Sequence, residues 1–258
     1  MNVREVVSKK DVLSAQSMYV VKDNALIQKS RYSFSLLEQK AILFLISKIK
    51  PQDEPFTQYV FDFSDFCMAC NMNKDGGFYI KYIKDIMTNI ASKHITISLN
   101  DGRTLITHWF SSAIIDNVND NITITFDSNI TPYLFSLHSF YTQYSLEYVL
   151  PMKSKYGIRL FEYLTSIKSK SLKQTISIDE LRERIDCYKY PNFKDFRVKV
   201  IEPAMNDINM FSDLRIKYEY IKTGRKITHI EFTILKEFDI DETMERMVNR
   251  RKVLGSIR

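Results

Sequence analysis

Six glycines in 258 residues leave little for phosphate chemistry. Neither the G-x-x-x-x-G-K-[ST] loop nor the G-x-G-x-x-G dinucleotide fingerprint occurs. Cysteine is equally scarce. Three residues, an odd number, give no disulfide framework and fit a reducing compartment. Cys67 and Cys70 form a lone C-x-x-C, whereas a zinc site wants four ligands and no second pair exists; Cys187 and His94 would help only if the fold gathered them. Asp62 and Asp65 work against the electropositive helix start that activates a redox thiol, so the pair is expected to line the core. His94, His108, His138 and His229 stand apart, with no H-x-H pair for metal-dependent DNA nicking beside a tyrosine nucleophile. The longest apolar run, Ala41–Ile46, has six residues, against roughly 18 for a membrane span. No secretory apolar stretch opens the chain, so a cytoplasmic location is expected. These absences predict no enzyme, no cofactor and no metal.

Charge is present, and unevenly placed. Residues 1–149 carry 14 Lys+Arg against 15 Asp+Glu, while residues 150–258 carry 23 against 16. A positive excess confined to one half points to a polyanionic partner gripped mainly by that half.

The apolar pattern divides the chain into an N-terminal arm (1–20), a first domain (21–150), a second domain (151–240) and a C-terminal tail (241–258). Helix 33–50 is started by Ser33 or Ser35, is stopped by Pro51, and is apolar nearly all round, which suits a core or a subunit interface. After it come the strand "QYVFDF", a helix entered through Ser64, the loop 73–77 and the helix "FYIKYIKDIMTNIASK". The strands "HITISL", "TLITHWFSSAIID" and "ITITFD" follow, and residues 131–150 read as a helical connector. The second half repeats the order with helix 154–170, strand "QTISI", helix 179–186, a long helix and a hairpin. Helix, strand, helix, turn, helix, hairpin, occurring twice, predicts an α+β chain of two winged-helix domains in pseudo-symmetric tandem. Sliding the chain by 118 positions lays Phe78, Tyr82, Ile86 and Ile90 over Phe196, Val200, Ala204 and Ile208, one helical stripe on each side.

In "NFKDFRVKVIEPAMNDIN" the stripe Phe193, Phe196, Val200, Ala204 and Ile208 is expected to face the core, leaving Lys194, Arg197 and Lys199 around the other side. The first turns of a recognition helix meet base edges, where Arg pairs with guanine O6 and N7. "KTGRK" puts Lys222, Arg225 and Lys226 at the wing tip, suited to phosphate. Pro203 costs roughly 3 kcal/mol in a helix interior, where it clashes with the Lys199 carbonyl, so a kink or break is expected there.

"VVKDNALIQKSRYSFSLLEQKAILFLISKI", "FDFSDFC", "YSLEYVLPMKSKYGIRLFEYL", "FKDFRVKVIEPAMNDIN" and "LRIKYEYIKTGRKITHIEFTI" together resemble the initiator replication (Rep) proteins of iteron-containing plasmids, from about residue 20 to 235. The resemblance implies a non-enzymatic protein that binds origin direct repeats (iterons) in double-stranded DNA, helps open the origin and recruits the host helicase machinery. It also implies a monomer–dimer equilibrium in which dimers bind an operator inverted repeat and repress the protein's own gene. By position, Lys153, Ser154, Lys155, Tyr156 and Arg159 become backbone contacts at a helix start, with Lys81 and Lys84 as first-domain counterparts of the base readers. The resemblance gives dimer contacts to the first domain; the excess apolar surface of the 33–50 helix, with Phe34, Leu37, Phe44 and Leu45, is expected to be covered by a second subunit, or by the second domain when the chain is monomeric. The alternatives are a winged-helix repressor without a replication role and a tyrosine-dependent nicking enzyme.

Overall fold

The computed structural model describes residues 19–50, 52–54, 56–72 and 78–235. The expected arm up to residue 18, the stop at Pro51, the loop 73–77 and the tail 241–258 lie outside the described residues.

The first unit opens with β1 (Tyr19–Asp23), α1 (Asn24–Gln28) and β2 (Ser30–Arg31). Helix α2 (Leu36–Ile46) starts at a full capping box: Ser35 accepts the Glu38 N–H and Glu38 accepts the Ser35 N–H. Every residue from Glu38 to Ile46 is buried, as a helix apolar all round should be. Next come β3 (Gln58–Asp62), α3 (Phe63–Ala69), α4 (Tyr79–Ser92), β4 (His94–Ser98), β5 (Thr104–His108), β6 (Phe110–Asp116), β7 (Asn121–Phe126) and β8 (Tyr141–Ser145).

The second unit holds α5 (Lys155–Ile167), β9 (Lys173–Ser177), α6 (Ile178–Arg184), α7 (Phe193–Phe196), a π-helical turn (Arg197–Ile201), α8 (Glu202–Phe211), β10 (Ile216–Thr223) and β11 (Lys226–Ile234). Its sheet order is β10-β11-β9, all antiparallel; in the first unit β3-β7-β6 has the same connectivity. Each domain is a helical bundle closed by a three-stranded sheet whose last two strands form the wing. One apolar core runs through both units, and Cys67, Cys70 and Cys187 are buried in it, none of them in a disulfide.

The structure departs from the sequence reading at four places. "TLITHWFSSAIID" is two strands, because fully buried Trp109 turns the chain out of the sheet β2-β4-β5 and into the sheet β3-β7-β6. Such corners commonly carry a bulge, and the register shifts between Phe110 and Ser112. The first-domain wing is therefore β6–β7, and the β4–β5 hairpin is inserted ahead of it. In place of the helical connector at 131–150 there are short 3₁₀ turns around β8, which pairs with β1 and buries Thr142 and Tyr144. In α4 the buried face is Ile83, Ile86, Met87 and Ile90, whereas Phe78 and Tyr82 are exposed, so half of the proposed first-domain stripe faces solvent. Finally, α3 is entered from Asp62 rather than Ser64.

Candidate nucleic-acid interface

The recognition segment begins at Asn192, whose side chain accepts the Asp195 N–H at 2.8 Å. Phe196, Val200, Ala204 and Ile208 are all fully buried. On an ideal α-helix a stripe at four-residue steps drifts by about 40° per step. The π turn holds one more residue per hydrogen-bonded ring, so it takes up that drift and keeps the stripe on the core. The same turn resolves Pro203. The Glu202 N–H bonds to the carbonyl of Arg197, five residues back, and Pro203 sits in the first turn of α8, where no donor is missed. The expected break is thus a change of helix type immediately before the proline.

Lys194, Val198 and Lys199 are exposed on the outer side, with Arg197 half-buried beside them. Arg197 lies 3.4 Å from Glu202, and Lys199 lies 3.8 Å from Asp195 and 5.3 Å from the Tyr190 ring centre. Exposed pairs of this kind are weak, so both cations are free to exchange partners. From behind, Arg182 of α6 lays its guanidinium over Phe196 (4.4 Å) and donates to the Tyr190 carbonyl (2.6 Å). Phe193 meets Tyr220 of β10 edge to face at 5.1 Å, tying the segment to its wing.

Lys222, Arg225 and Lys226 are exposed at the wing tip. Thr223 pairs with Lys226, leaving a two-residue turn whose first position is Gly224 at φ +61°, the conformation such hairpins require. A register shift at Ile221/Lys222 adds local twist to the tip.

The third contributor is the start of α5. Ser154 accepts the Gly157 N–H at 3.1 Å, and Lys153, Lys155 and Tyr156 surround this positive helix end. Asp207 of α8 accepts the N–H groups of Lys153 (2.8 Å) and Ser154 (2.7 Å), fixing the helix start to the recognition segment. Burial raises the Asp207 pKa, against the pull of those N–H groups and of Lys40. Gly157 allows the close approach, since a Cβ there would stand 3.3 Å from the Ala204 Cα. Arg159 does not belong to this surface. It is buried, donates to the carbonyls of Ser30 (3.3 Å) and Arg184 (3.1 Å), and lies over the Tyr32 ring at 4.1 Å. The expected backbone contact is instead a strut between the domains.

Lys81 and Lys84 are exposed on α4. No Lys or Arg occurs between residues 104 and 152, or in β3, so the first-domain wing has no cation to offer phosphate. The side chains expected at a dimer surface are covered within this single chain. Phe34, Phe44 and Leu45 are buried and Leu37 is partly buried against the same core, because α3, α4 and β1 pack on α2. These three side chains are thus covered in the single chain, one of the two packings expected of this helix. Sequence reasoning missed Asp207, Gly157, Arg182 and Val198. Only the helical register of Val198, opposite Phe196 and Val200, could have signalled its place.

Among the described residues no His/Cys/Asp/Glu cluster could hold a metal, and no helix is long and apolar enough to cross a membrane. A helix-turn-helix with a basic wing, preceded by a wing-bearing copy poor in cations, defines a tandem winged-helix protein. The chain belongs to the initiator replication protein family: the profile described as "Initiator Replication protein, WH1" matches residues 19–165, and "Initiator Rep protein, WH2" matches residues 177–234. A replication initiation protein of Escherichia coli is 25% identical over 237 residues, covering 88% of this chain and 72% of its own. In fold the chain is similar to the Pi initiator protein crystallised in complex with iteron DNA, with TM-score 0.68, 17% identity, and 87% of this chain and 99% of that one covered. Domains 2 and 3 of RctB are similar too, at TM-score 0.50, 10% identity, and coverage of 81% and 86%.

Proposed function

We propose that this replication initiator reads direct repeats in duplex DNA chiefly with its second domain. The carrying observation is that three cationic features converge in one domain: the recognition segment, the wing tip and the start of α5. The segment enters the major groove with Lys194, Arg197 and Lys199, while Lys222, Arg225 and Lys226 meet the flanking backbone. Lys153 and Lys155 beside the α5 N-terminus hold a further phosphate. The cation-free first wing supports a division in which the first domain contributes little to phosphate binding beyond Lys81 and Lys84.

The protein acts in the cytoplasm without catalysis of its own, opening the origin and recruiting the host helicase. A dimer represses its own gene at an inverted repeat. Family membership supports these roles. The test is enrichment of duplexes from a randomised library by the full chain, followed by titration across salt. A defined repeat should emerge, with a log–log salt slope of about −0.9 per phosphate neutralised. Absence of an enriched duplex would refute the reading, and metal-dependent nicking of supercoiled plasmid would refute the non-enzymatic part.

A further inference from the structure

We propose that Val198 is a base-reading residue whose methyl groups pack on the C5-methyl of one thymine in the major groove. The inference rests on the DNA-binding reading above and adds a specificity that no charged residue supplies. Val198 lies two residues from both Phe196 and Val200, which are fully buried, so it stands on the side of the segment opposite the core. Its side chain is 45% exposed. Lys194 and Glu202, four residues to either side, share its line along the helix, and Arg197 and Lys199 flank it in sequence. It is thus an apolar tip ringed by charged side chains. A lone exposed valine on an arbitrary surface needs no explanation. Here the surface is the one that faces the groove, and charge serves Lys and Arg there while a branched aliphatic gains nothing from phosphate or water.

Major-groove chemistry names the partner. Thymine alone among the four bases presents a methyl group there, and apolar side chains recognise it by contact. The π turn that contains Val198 helps in a specific way. It holds Arg197 to Ile201 in one wide turn, so the cations and Val198 project from a broadened helix surface. Single π turns recur at functional sites for this reason. Arg197 would then read a guanine while Val198 reads an adjoining thymine.

The experiment uses the full chain and the repeat enriched from the randomised library, with each thymine replaced in turn by deoxyuridine, which lacks only the methyl. Wild type should lose about fourfold in affinity at one thymine, the value of one buried methyl-sized group. Val198→Ala should bind the parent repeat about as weakly as wild type binds the deoxyuridine duplex, and should not respond to that replacement. Its salt slope and melting temperature should match wild type, since the residue is exposed. A Val198→Ala protein that keeps the full wild-type deoxyuridine profile would overturn the proposal. So would a wild-type profile with no sensitive thymine. If no duplex is enriched at all, the DNA-binding reading fails and takes this inference with it.

Discussion

Arg159 and Arg197 are both arginines on second-domain helices, and burial gives them different work. Arg197 keeps a half-exposed side chain and a weak partner, so it can exchange that partner for guanine. Arg197→Ala should cost about 1–3 kcal/mol against the enriched repeat and relax preference at one base pair, as read from competition binding. Lys226→Ala should weaken all duplexes alike and flatten the log–log salt slope by about 0.9. Identical behaviour of the two variants would erase the division between reader and wing. Asp207 makes a prediction of the opposite character. Its pKa is raised by burial, so the folded chain holds its proton more tightly than the unfolded chain. Its contribution to stability therefore falls as pH rises from the unfolded value, about 3.9, through the raised folded value, and is level beyond it. Asp207→Asn lacks this descent. Relative to wild type its stability should rise across that window, as measured by urea denaturation at stepped pH. A relative stability that falls instead would mean that the Lys153 and Ser154 N–H bonds outweigh burial.

At the scale of elements, Gly157 decides how closely α5 and α8 approach. An alanine there improves helix propensity by at most about 1 kcal/mol. Its Cβ, however, would press on the Ala204 backbone at 3.3 Å, which cannot swing aside as a side-chain end could. Overpacking of this kind costs roughly 1–3 kcal/mol. Gly157→Ala should therefore lower the melting temperature and weaken DNA binding together, since the α5 start and the recognition segment would part. Signals of short range were legible in the sequence. Ser35, one of the two starts read for its helix, caps it, and the glycine turn of the second wing is local. The first wing was not legible, because β3 reaches β7 only through pairings such as Val60 with Thr123, and the corner that separates β5 from β6 is a single buried tryptophan. The site was legible where it is charged and exposed. Arg159 misled because a basic residue in an amphipathic helix reads as surface until its carbonyl partners on another domain are known. Asp207 was hidden because the Lys153 and Ser154 N–H groups it accepts lie 54 and 53 residues earlier in the chain.

At the scale of the molecule, the two domains are held together through polar groups that are themselves buried. Lys22 of β1 and Glu162 of α5 form an ion pair at 2.5 Å, each 1% exposed. Tyr144 of β8 donates to the same Glu162 oxygen at 2.5 Å. Nearby, Arg184 donates to the Gln28 carbonyl (2.6 Å), and Arg31 meets Glu183 at 3.0 Å in a more exposed setting. Desolvation of a buried pair offsets most of its attraction, so the pair adds little net stability while both members are present. Removing Lys22 is different, because the buried Glu162 carboxylate then keeps only the Tyr144 hydroxyl and loses its opposite charge. Lys22→Met should destabilise the chain by roughly 3–5 kcal/mol, and the double variant Lys22→Met/Glu162→Leu should recover much of that loss. Differential scanning calorimetry distinguishes two forms of the damage. If the interface couples the domains, Lys22→Met should split one transition into two, with the domains melting separately, and the double variant should restore one. High salt should leave the wild-type transition nearly unmoved, since screening scarcely reaches a pair this deep. A single Lys22→Met transition at the wild-type temperature would show that the pair does not hold the domains together, leaving that task to the arginine–carbonyl bonds of Arg159 and Arg184.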